Sequence, residues 1–232
     1  MNTNNSANFF DQPLAAGYDT QFQKLAPIKA VLHFLTQMIL MDLPTNARIL
    51  CVGAGTGAEL LYLAKVFPHW HFTAVDPAKP MLDVCKKRVA EQGLLSRCNF
   101  HNGYLSDLPQ CPQFDAATCF LVSHFLTEQS QRTALFTDIA KRLAQGGVLV
   151  NADHCADTAI GTYQELHQLW CSTLHFSDIG AARVEKMTSA MGKSISLLPP
   201  PEVALTIAAG GFTTPVQFLQ TLMIHGWYAL KP

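Results

Sequence analysis

The sequence predicts an α/β protein with a mostly parallel sheet and helices on both faces. Residues 49–52 are an apolar run that leads into three alternate glycines and then into a helical segment. A second apolar run, residues 72–75, ends at Asp76, which lies 19 residues after Gly57. Apolar runs and amphipathic segments continue to alternate to about residue 155. This alternation is typical of strand–helix–strand units that build a parallel sheet.

Local signals define the elements of the first two thirds of the chain. Proline and glycine mark helix ends at Pro44, Pro68, Gly93 and Gly146, and Thr127 is expected to cap a helix start. The predicted strands are 48–52, 71–75, 98–101, 116–121 and 148–151. The predicted helices are 20–41, 58–67, 79–92 and 128–145.

Beyond residue 155 the pattern becomes helical. In residues 160–176 an aromatic-rich stripe repeats at intervals of three and four, and its members are Tyr163, His167, Trp170 and Leu174. Such a stripe either packs in a core or lines a pocket, and the sequence leaves both open. A short stripe at 184–191, a loop at 196–201 and a helix at 202–209 follow. Residues 212–219 and 222–229 are predicted to be two closing strands.

The glycine turn at residues 53–57 predicts a nucleotide site. Without a Cβ atom, glycine adopts positive φ and lets a ligand lie against the backbone, at the positive end of the next helix. An ordinary strand-to-helix turn would not need three glycines in five residues. The turn does not identify the nucleotide, since Gly53, Gly55 and Ala58 also satisfy the dinucleotide pattern.

Asp76 is predicted to bind a ribose. In a strand–helix–strand unit it lies at the tip of the strand next to the glycine turn, where a carboxylate can accept both ribose hydroxyls. The alternative is a helix N-cap for the segment that starts near Lys79, and this role is compatible with ribose binding.

The composition of the chain limits which kinds of partner are expected. The net charge of −1 and the lack of a long basic run remove the electrostatic footprint of a general nucleic-acid binder. The longest apolar stretch, residues 31–43, is too short to span a bilayer, so no membrane partner is expected. Residues 1–8 are polar, are expected to be disordered and lack the features of a signal peptide.

The seven cysteines are scattered and form no C-x-x-C pair, which indicates neither a disulfide framework nor a metal site. A reducing, cytoplasmic location is therefore expected. The length of 232 residues with no linker favours one domain.

Five motifs in order resemble those of class I S-adenosylmethionine-dependent methyltransferases. They are the glycine turn with its strand, the run through Asp76 to residue 82, residues 103–109, residues 114–120 and residues 143–150. The resemblance implies a Rossmann-like, seven-stranded, mostly parallel sheet of order 3-2-1-4-5-7-6 with the last strand antiparallel. It also implies a single domain over 1–232, with an N-terminal helical cap at 1–45 and a helical insertion at 156–200 over the acceptor pocket.

The resemblance implies S-adenosyl-L-methionine as the cofactor and assigns residues to it. Glycines of the turn would lie under its amino acid portion and ribose, Tyr104 and Leu105 beside adenine, and Tyr18 and Phe120 near the methionine. The family's usual acidic residue is missing at Tyr104, so Asp107 or main-chain groups would replace it. The implied cofactor-binding residues are Tyr18, Gly53, Ala54, Gly55, Thr56, Gly57, Asp76, Pro77, Met81, Tyr104, Leu105 and Phe120.

Methyl transfer from a sulfonium requires mainly orientation and exclusion of water, so a dedicated catalytic residue is not essential. If a base is used, His124 after the fourth strand is the first candidate and His154 after the fifth strand is the second, because imidazole titrates near neutral pH. His167 is the third. Each of them is alternatively a hydrogen-bonded structural histidine.

The preferred interpretation is methyl transfer to a small-molecule acceptor. A weaker resemblance is to carboxy-S-adenosylmethionine synthases, which hold a carboxylate with an arginine of the insertion; Arg183 is the only arginine there, and Phe120 is apolar where their motif is polar. The sequence is also compatible with an NAD-dependent oxidoreductase and with a non-catalytic binding module. The acceptor and the oligomeric state stay open, with a homodimer as the candidate state.

Overall fold

The strand that leads into the glycine turn lies in the interior of the sheet, with a neighbour on each side. The computed structural model describes residues 10–232, so the predicted disordered residues 1–8 lie outside the described residues. Ile49 and Cys51 pack into the apolar core on one face of the sheet, and Leu50 and Val52 pack into the core on the other. Both faces of this strand are buried, as its uninterrupted apolar run predicts.

Seven strands form one sheet of order β3-β2-β1-β4-β5-β7-β6. The first five are parallel, whereas β7 is antiparallel to both of its neighbours. The predicted fold class and strand order are therefore confirmed. The strands are β1 (Arg48–Val52), β2 (His71–Asp76), β3 (Cys98–Asn102), β4 (Phe114–Phe120), β5 (Leu143–His154), β6 (Val216–Thr221) and β7 (Ile224–Leu230).

Helices cover both faces of the sheet. The helices are α1 (Gln12–Gln21), α2 (Ala26–Leu40), α3 (Ala58–Val66), α4 (Lys79–Glu91), α5 (Gln129–Arg142), α6 (Tyr163–Phe176), α7 (Ala181–Ala190) and α8 (Pro200–Ala209). Side chains of α2, α3 and α4 enter the core on one face, and side chains of α5 and α8 enter the core on the other. Among the helices of residues 10–232, none is both long and apolar enough to cross a membrane.

The N-terminal helix differs from its prediction. The expected helix over residues 20–41 is wrong, because the chain forms α1, a 3-10 turn at Gln23–Leu25 and then α2. Pro27 explains the break. It lacks an N–H group and is tolerated in the first turn of a helix, so α2 begins just before it rather than running through it.

The boundary between α5 and β5 also differs. The predicted helix end at Gly146 is wrong, since α5 ends at Arg142 and Leu143 already pairs with Phe114 of β4. A register shift separates this pair from the regular ladder, and Gly146 there has φ +75°. Thr127 is not the cap either, because the cap position is Glu128, which makes no side-chain capping bond.

The last predicted strand pair is confirmed in kind and corrected at its start. The strand expected from residue 212 begins at Val216. Pro215 precedes it and has no N–H to donate to a ladder. Phe212 instead packs into the core beside α8.

The segment 156–200 packs against the N-terminal helices. Trp170 and Leu174 of α6 and Val184 of α7 lie in one apolar cluster with Leu25 and Leu32. Arg183 of α7 donates a hydrogen bond to the Gln21 side chain at 2.6 Å. The second half of the predicted aromatic stripe is therefore core, whereas Tyr163 and His167 are half-buried.

Candidate functional site

A cavity of about 250 Å³ lies at the carboxyl ends of β1, β2 and β4. Ligands of open α/β sheets bind at this edge. All but one of the twelve predicted cofactor-binding residues line it, and the exception is Gly57. The residues that line it are Tyr18, Gly53, Ala54, Gly55, Thr56, Asp76, Pro77, Met81, Tyr104, Leu105 and Phe120.

The three glycines of the turn are required for different structural reasons. All have positive φ, at +66°, +53° and +79° along the chain. A Cβ at Gly53 would meet Val122 Cγ2 at 2.2 Å, and one at Gly57 would meet Cys85 Sγ at 2.5 Å. At Gly55 the nearest atom would be Met81 Cε at 3.6 Å. Gly53 and Gly57 therefore permit close packing within the protein, whereas the missing Cβ of Gly55 leaves space beside the cavity.

Asp76 closes the turn from the neighbouring strand. Its two carboxylate oxygens accept hydrogen bonds from Gly55 N at 2.7 Å and Ala78 N at 2.8 Å. Burial raises the pKa of this carboxyl above its usual range, and the two backbone donors oppose that rise. Since a carboxylate oxygen can accept more than one bond, both retain capacity for a ligand. The cap position of α4 is Ala78 rather than Asp76.

Tyr18 lies on α1 and lines the cavity. Its ring packs against Phe22 with centroids 4.8 Å apart and against Phe10 at 6.4 Å. Burial, followed by the charge of Asp19, raises the pKa of Tyr18 to about 12. The phenol is therefore protonated at neutral pH, and the residue offers a ring face and a hydroxyl donor.

The turn after β3 supplies Tyr104 and Leu105 to the cavity. The side chain of Asp107, suggested as a replacement for the missing acidic residue, folds back to accept a bond from Tyr104 N at 3.2 Å. Asp107 does not line the cavity. In this arrangement it caps the turn, and the cavity wall there is formed by Gly103, Tyr104 and Leu105.

Three polar residues of the cavity wall were missed by sequence reasoning. They are Lys29 and His33 of α2 and Glu59 of α3. Glu59 follows the glycine turn directly, so its position in the motif was a usable signal. Lys29 and His33 lie four residues apart on one helix face, but nothing in their local sequence indicates which face meets the cavity.

His124 and His154 lie together behind the cavity wall. Their ring centroids are 5.0 Å apart, both are buried, and neither lines the cavity. His124 Nδ1 lies 2.5 Å from Asp153 Oδ1, and Arg132 Nη2 donates to Asp153 Oδ2 at 3.4 Å. Burial and then the charge of His124 lower the pKa of His154 to about 3. His154 is therefore neutral at physiological pH and a weak base, and the catalytic role of either residue stays a prediction.

His167, the third histidine considered, lies on α6 outside the cavity. Its ring packs against Tyr163 at 5.7 Å, and its Nδ1 and Nε2 atoms lie 3.8 Å from Cys171 Sγ. No residue of the segment 156–200 contributes to the cavity wall among the described residues.

The central part of the chain matches a known family. Residues 49–147 match the family model described as a methyltransferase domain, and these residues include the glycine turn, Asp76 and the turn after β3. Residues 49–147, together with the strand order of the sheet, therefore resemble the domain of class I S-adenosylmethionine-dependent methyltransferases. Most of the cavity wall lies within the matched residues.

Similar proteins include synthases and methyltransferases. A carboxy-S-adenosyl-L-methionine synthase of Campylobacter lari is 25% identical over 62% of this chain and 60% of its own length. A solved structure described as a putative O-methyltransferase of Nostoc punctiforme has a TM-score of 0.68 at 16% identity, over 94% of this chain and 59% of that one. The N-methyltransferase NodS of Bradyrhizobium japonicum, solved with S-adenosyl-L-homocysteine, has a TM-score of 0.58 at 15% identity, over 88% and 87%.

The matched portion of these relatives limits what they establish. The chain aligns with between 22% and 60% of the length of the curated relatives that it matches. The identities to solved structures are low, so these similarities establish the fold alone.

Proposed function

We propose that this chain transfers the methyl group of S-adenosyl-L-methionine to a small-molecule acceptor. One observation carries the proposal: the glycine turn and a buried carboxylate meet at one cavity inside the matched methyltransferase domain. Two similar proteins are linked to S-adenosyl compounds. The protein of Campylobacter lari is named a carboxy-S-adenosyl-L-methionine synthase, and the N-methyltransferase of Bradyrhizobium japonicum was solved with S-adenosyl-L-homocysteine.

The cavity wall supports a cofactor orientation. Asp76 would accept the ribose hydroxyls, Tyr104 and Leu105 would flank adenine, and the backbone at Gly55 would lie under the ribose and the amino acid portion. Phe120 and Tyr18 would lie near the methionine, where an aromatic face attracts the positive sulfonium. Gly57 would act through the shape of the turn, since it packs against Cys85 rather than lining the cavity.

Methyl transfer from a sulfonium does not require a dedicated catalytic side chain. The sulfonium is an excellent leaving group, so the protein contributes orientation and exclusion of water. A base role for His124 or His154 remains a proposal of second rank, since both are buried and neither lines the cavity; the wall beside His124 is formed by Phe120, Leu121, Val122, Phe125 and Leu126. Reorientation of that wall would be needed before either ring reached an acceptor.

The acceptor site is proposed to lie under the segment 156–200. This segment packs against Leu32, Phe120 and Leu121, which also line the cavity, so it covers their outer side. We further propose that the chain forms one domain in which residues up to 45 and this segment enclose the cofactor. A reducing, cytoplasmic setting agrees with seven cysteines that are all free.

Ligand binding tests the proposed function directly. By isothermal titration calorimetry we expect S-adenosyl-L-homocysteine to bind the full chain and NAD not to bind. Asp76→Ala is expected to weaken that binding tenfold or more, about 1.4 kcal/mol, because the ribose loses its acceptor. The matched control is Asp83→Ala, which removes an exposed carboxylate of α4 paired with Lys79.

Asp76 also holds two backbone donors, so the variant needs a stability measurement. Thermal unfolding of Asp76→Ala, and of Asp76→Asn as the conservative variant, shows whether the turn remains folded at the temperature of the titration. Binding of NAD in place of the adenosyl compound would refute the proposal. Cofactor binding without a methylated product in a broad metabolite screen would instead favour a non-catalytic module.

A second candidate function is modification of the cofactor itself, as in carboxy-S-adenosyl-L-methionine synthases. Two observations favour it: the synthase relatives, and the position of Arg183, whose charge acts on Tyr18 at the cavity wall. Mass spectrometry of the nucleotide released from the purified protein distinguishes the candidates. A carboxylated adenosyl compound would support the second candidate, whereas the unmodified cofactor or its demethylated product supports the first.

A further inference from the structure

Glu59 is a buried acidic group on the cavity wall that the proposed reaction leaves without a role. It lies in the first turn of α3, directly after the glycine turn, and is 8% exposed. It lines the same cavity as Asp76, so two carboxylates share one enclosed space. Buried acidic groups are ordinarily paired with a cation or are held neutral.

The nearby cations are engaged elsewhere. Arg88 donates to Asp19 Oδ2 at 2.7 Å and to Thr56 O at 2.9 Å, and Lys29 pairs with Asp19 Oδ1 at 3.5 Å. Asp19 therefore holds both cations that act on Glu59 through space. Within the described residues no lysine, arginine or histidine nitrogen lies within ion-pair distance of the Glu59 carboxylate.

Four other titratable groups around Glu59 stay uncharged at neutral pH. Burial and then the charge of Lys29 lower the pKa of His33 to about 4, so its ring is neutral. Burial raises the pKa of the Cys85 thiol to about 12, and that of Cys51 is also raised. Tyr18, with its pKa of about 12, stays protonated.

We propose that Glu59 is the charge-selective binding residue of the cavity: it releases a proton when the sulfonium cofactor enters and so favours this cofactor over the thioether product, whose sulfur carries no charge. This inference rests on the proposed function and adds to it. The bond that breaks is the carboxyl O–H, its proton leaves to solvent, and the carboxylate then faces the positive ligand. No oxidant or other reactant is required.

The sign of the pH dependence follows from the protonation state. Burial, and less strongly the charge of Asp76, raise the pKa of Glu59 to about 7. Below that value the group is protonated in the empty cavity, and a cation must displace the proton. Affinity for a cationic ligand therefore rises with pH up to about 7 and is flat above it.

Calorimetric titrations of S-adenosyl-L-methionine and S-adenosyl-L-homocysteine at pH 5.5, 6.0, 6.5 and 7.0 test this inference. From pH 5.5 to 7.0 we expect the affinity for the methyl donor to rise about tenfold, since one proton is released per ligand bound. The affinity for the thioether is expected to rise less than threefold. Titrations in two buffers of different ionisation enthalpy count the released protons in the wild-type protein, so this measurement does not depend on any variant.

Glu59→Gln keeps the shape of the side chain and removes its charge. In this variant we expect the affinity for the methyl donor to change less than threefold over the same range, with no proton released. The matched control is Glu202→Gln, which removes an exposed glutamate from the first turn of α8 and should retain the wild-type dependence.

The outcomes separate this inference from the proposed function. Failure of the wild-type protein to bind either compound at any pH overturns the proposed function and this inference with it. Binding of both compounds with the same pH dependence, or with none, overturns the inference alone. Proton release that persists in Glu59→Gln also overturns it, because the proton then comes from another group.

Discussion

At the scale of single residues, Asp153 is a buried carboxylate outside the cavity that several groups hold in place. Its carboxylate is fully buried and accepts bonds from the Ser123 hydroxyl, from His124 and from Arg132. Burial alone would raise the pKa of Asp153, but His124 and then Arg132 hold it below its usual range. This carboxylate therefore neutralises a guanidinium that is itself only 1% exposed.

Replacing Asp153 should destabilise the protein severely. Asp153→Asn leaves the Arg132 guanidinium buried without a counter-ion, and we expect the free energy of unfolding to fall by about 3–5 kcal/mol. Urea unfolding followed by circular dichroism measures it. The control Asp138→Asn removes an exposed carboxylate of α5 paired with Lys141 and should stay within about 0.5 kcal/mol of wild type. Equal stabilities of the two variants would contradict the role of Asp153.

At the scale of an element, the turn between β1 and α3 combines two requirements in five residues. Gly53 and Gly57 allow the loop to pack against Val122 and Cys85, whereas a Cβ at Gly55 would make only an ordinary contact with Met81 Cε at 3.6 Å. All three also need positive φ, which costs other residues about 1–2 kcal/mol each. Folding and ligand binding thus depend on different glycines of one motif.

Alanine substitutions should separate these two requirements. Gly57→Ala combines left-handed strain with a Cβ 2.5 Å from Cys85 Sγ, and we expect it to lower the free energy of unfolding by about 2–5 kcal/mol. Gly55→Ala should cost about 1–2 kcal/mol of strain and weaken binding of S-adenosyl-L-homocysteine more than tenfold, because its methyl group takes space beside the cavity. Thermal unfolding and calorimetry measure both. Equal loss of stability with intact binding in Gly55→Ala would refute the separation.

At the scale of the whole molecule, the sequence predicts the features that depend on residues close to one another in the chain. The strand order, the glycine turn and Asp76 at the cavity follow from motifs whose residues lie within one strand–helix–strand unit. The ends of helices and strands were predicted less well where a local feature interrupted the apolar periodicity. Pro27 divides the N-terminal helix, and the irregular pairing at Leu143 starts β5 before the glycines that were expected to end the helix.

Contacts between distant residues were not predictable from the sequence. Asp153 meets His124 across 29 positions, and nothing local indicates that two candidate bases would be buried behind the wall. Asp19 engages Arg88 across 69 positions, which is why the unpaired state of Glu59 became apparent only in the fold. Sequence patterns indicate which face of a helix or strand is apolar, whereas side-chain pairs between distant residues depend on how the helices pack on the sheet.

The position of the segment 156–200 gives the last prediction, because few polar contacts tie it to the N-terminal helices. Arg183 donates to the Gln21 side chain at 2.6 Å, and Asp178 N donates to Gln21 O at 3.2 Å. Losing the first of these in Arg183→Ala should cost about 1 kcal/mol of local stability, so amide hydrogen exchange in α7 should speed up about fivefold. Mass spectrometry of deuterium uptake measures this, with exposed Lys193→Ala as control. Unchanged exchange in Arg183→Ala would mean that the remaining contacts hold the segment without this bond, namely the apolar cluster around Trp170 and Val184 and the contacts of Asp178 with Gln21 and Lys24.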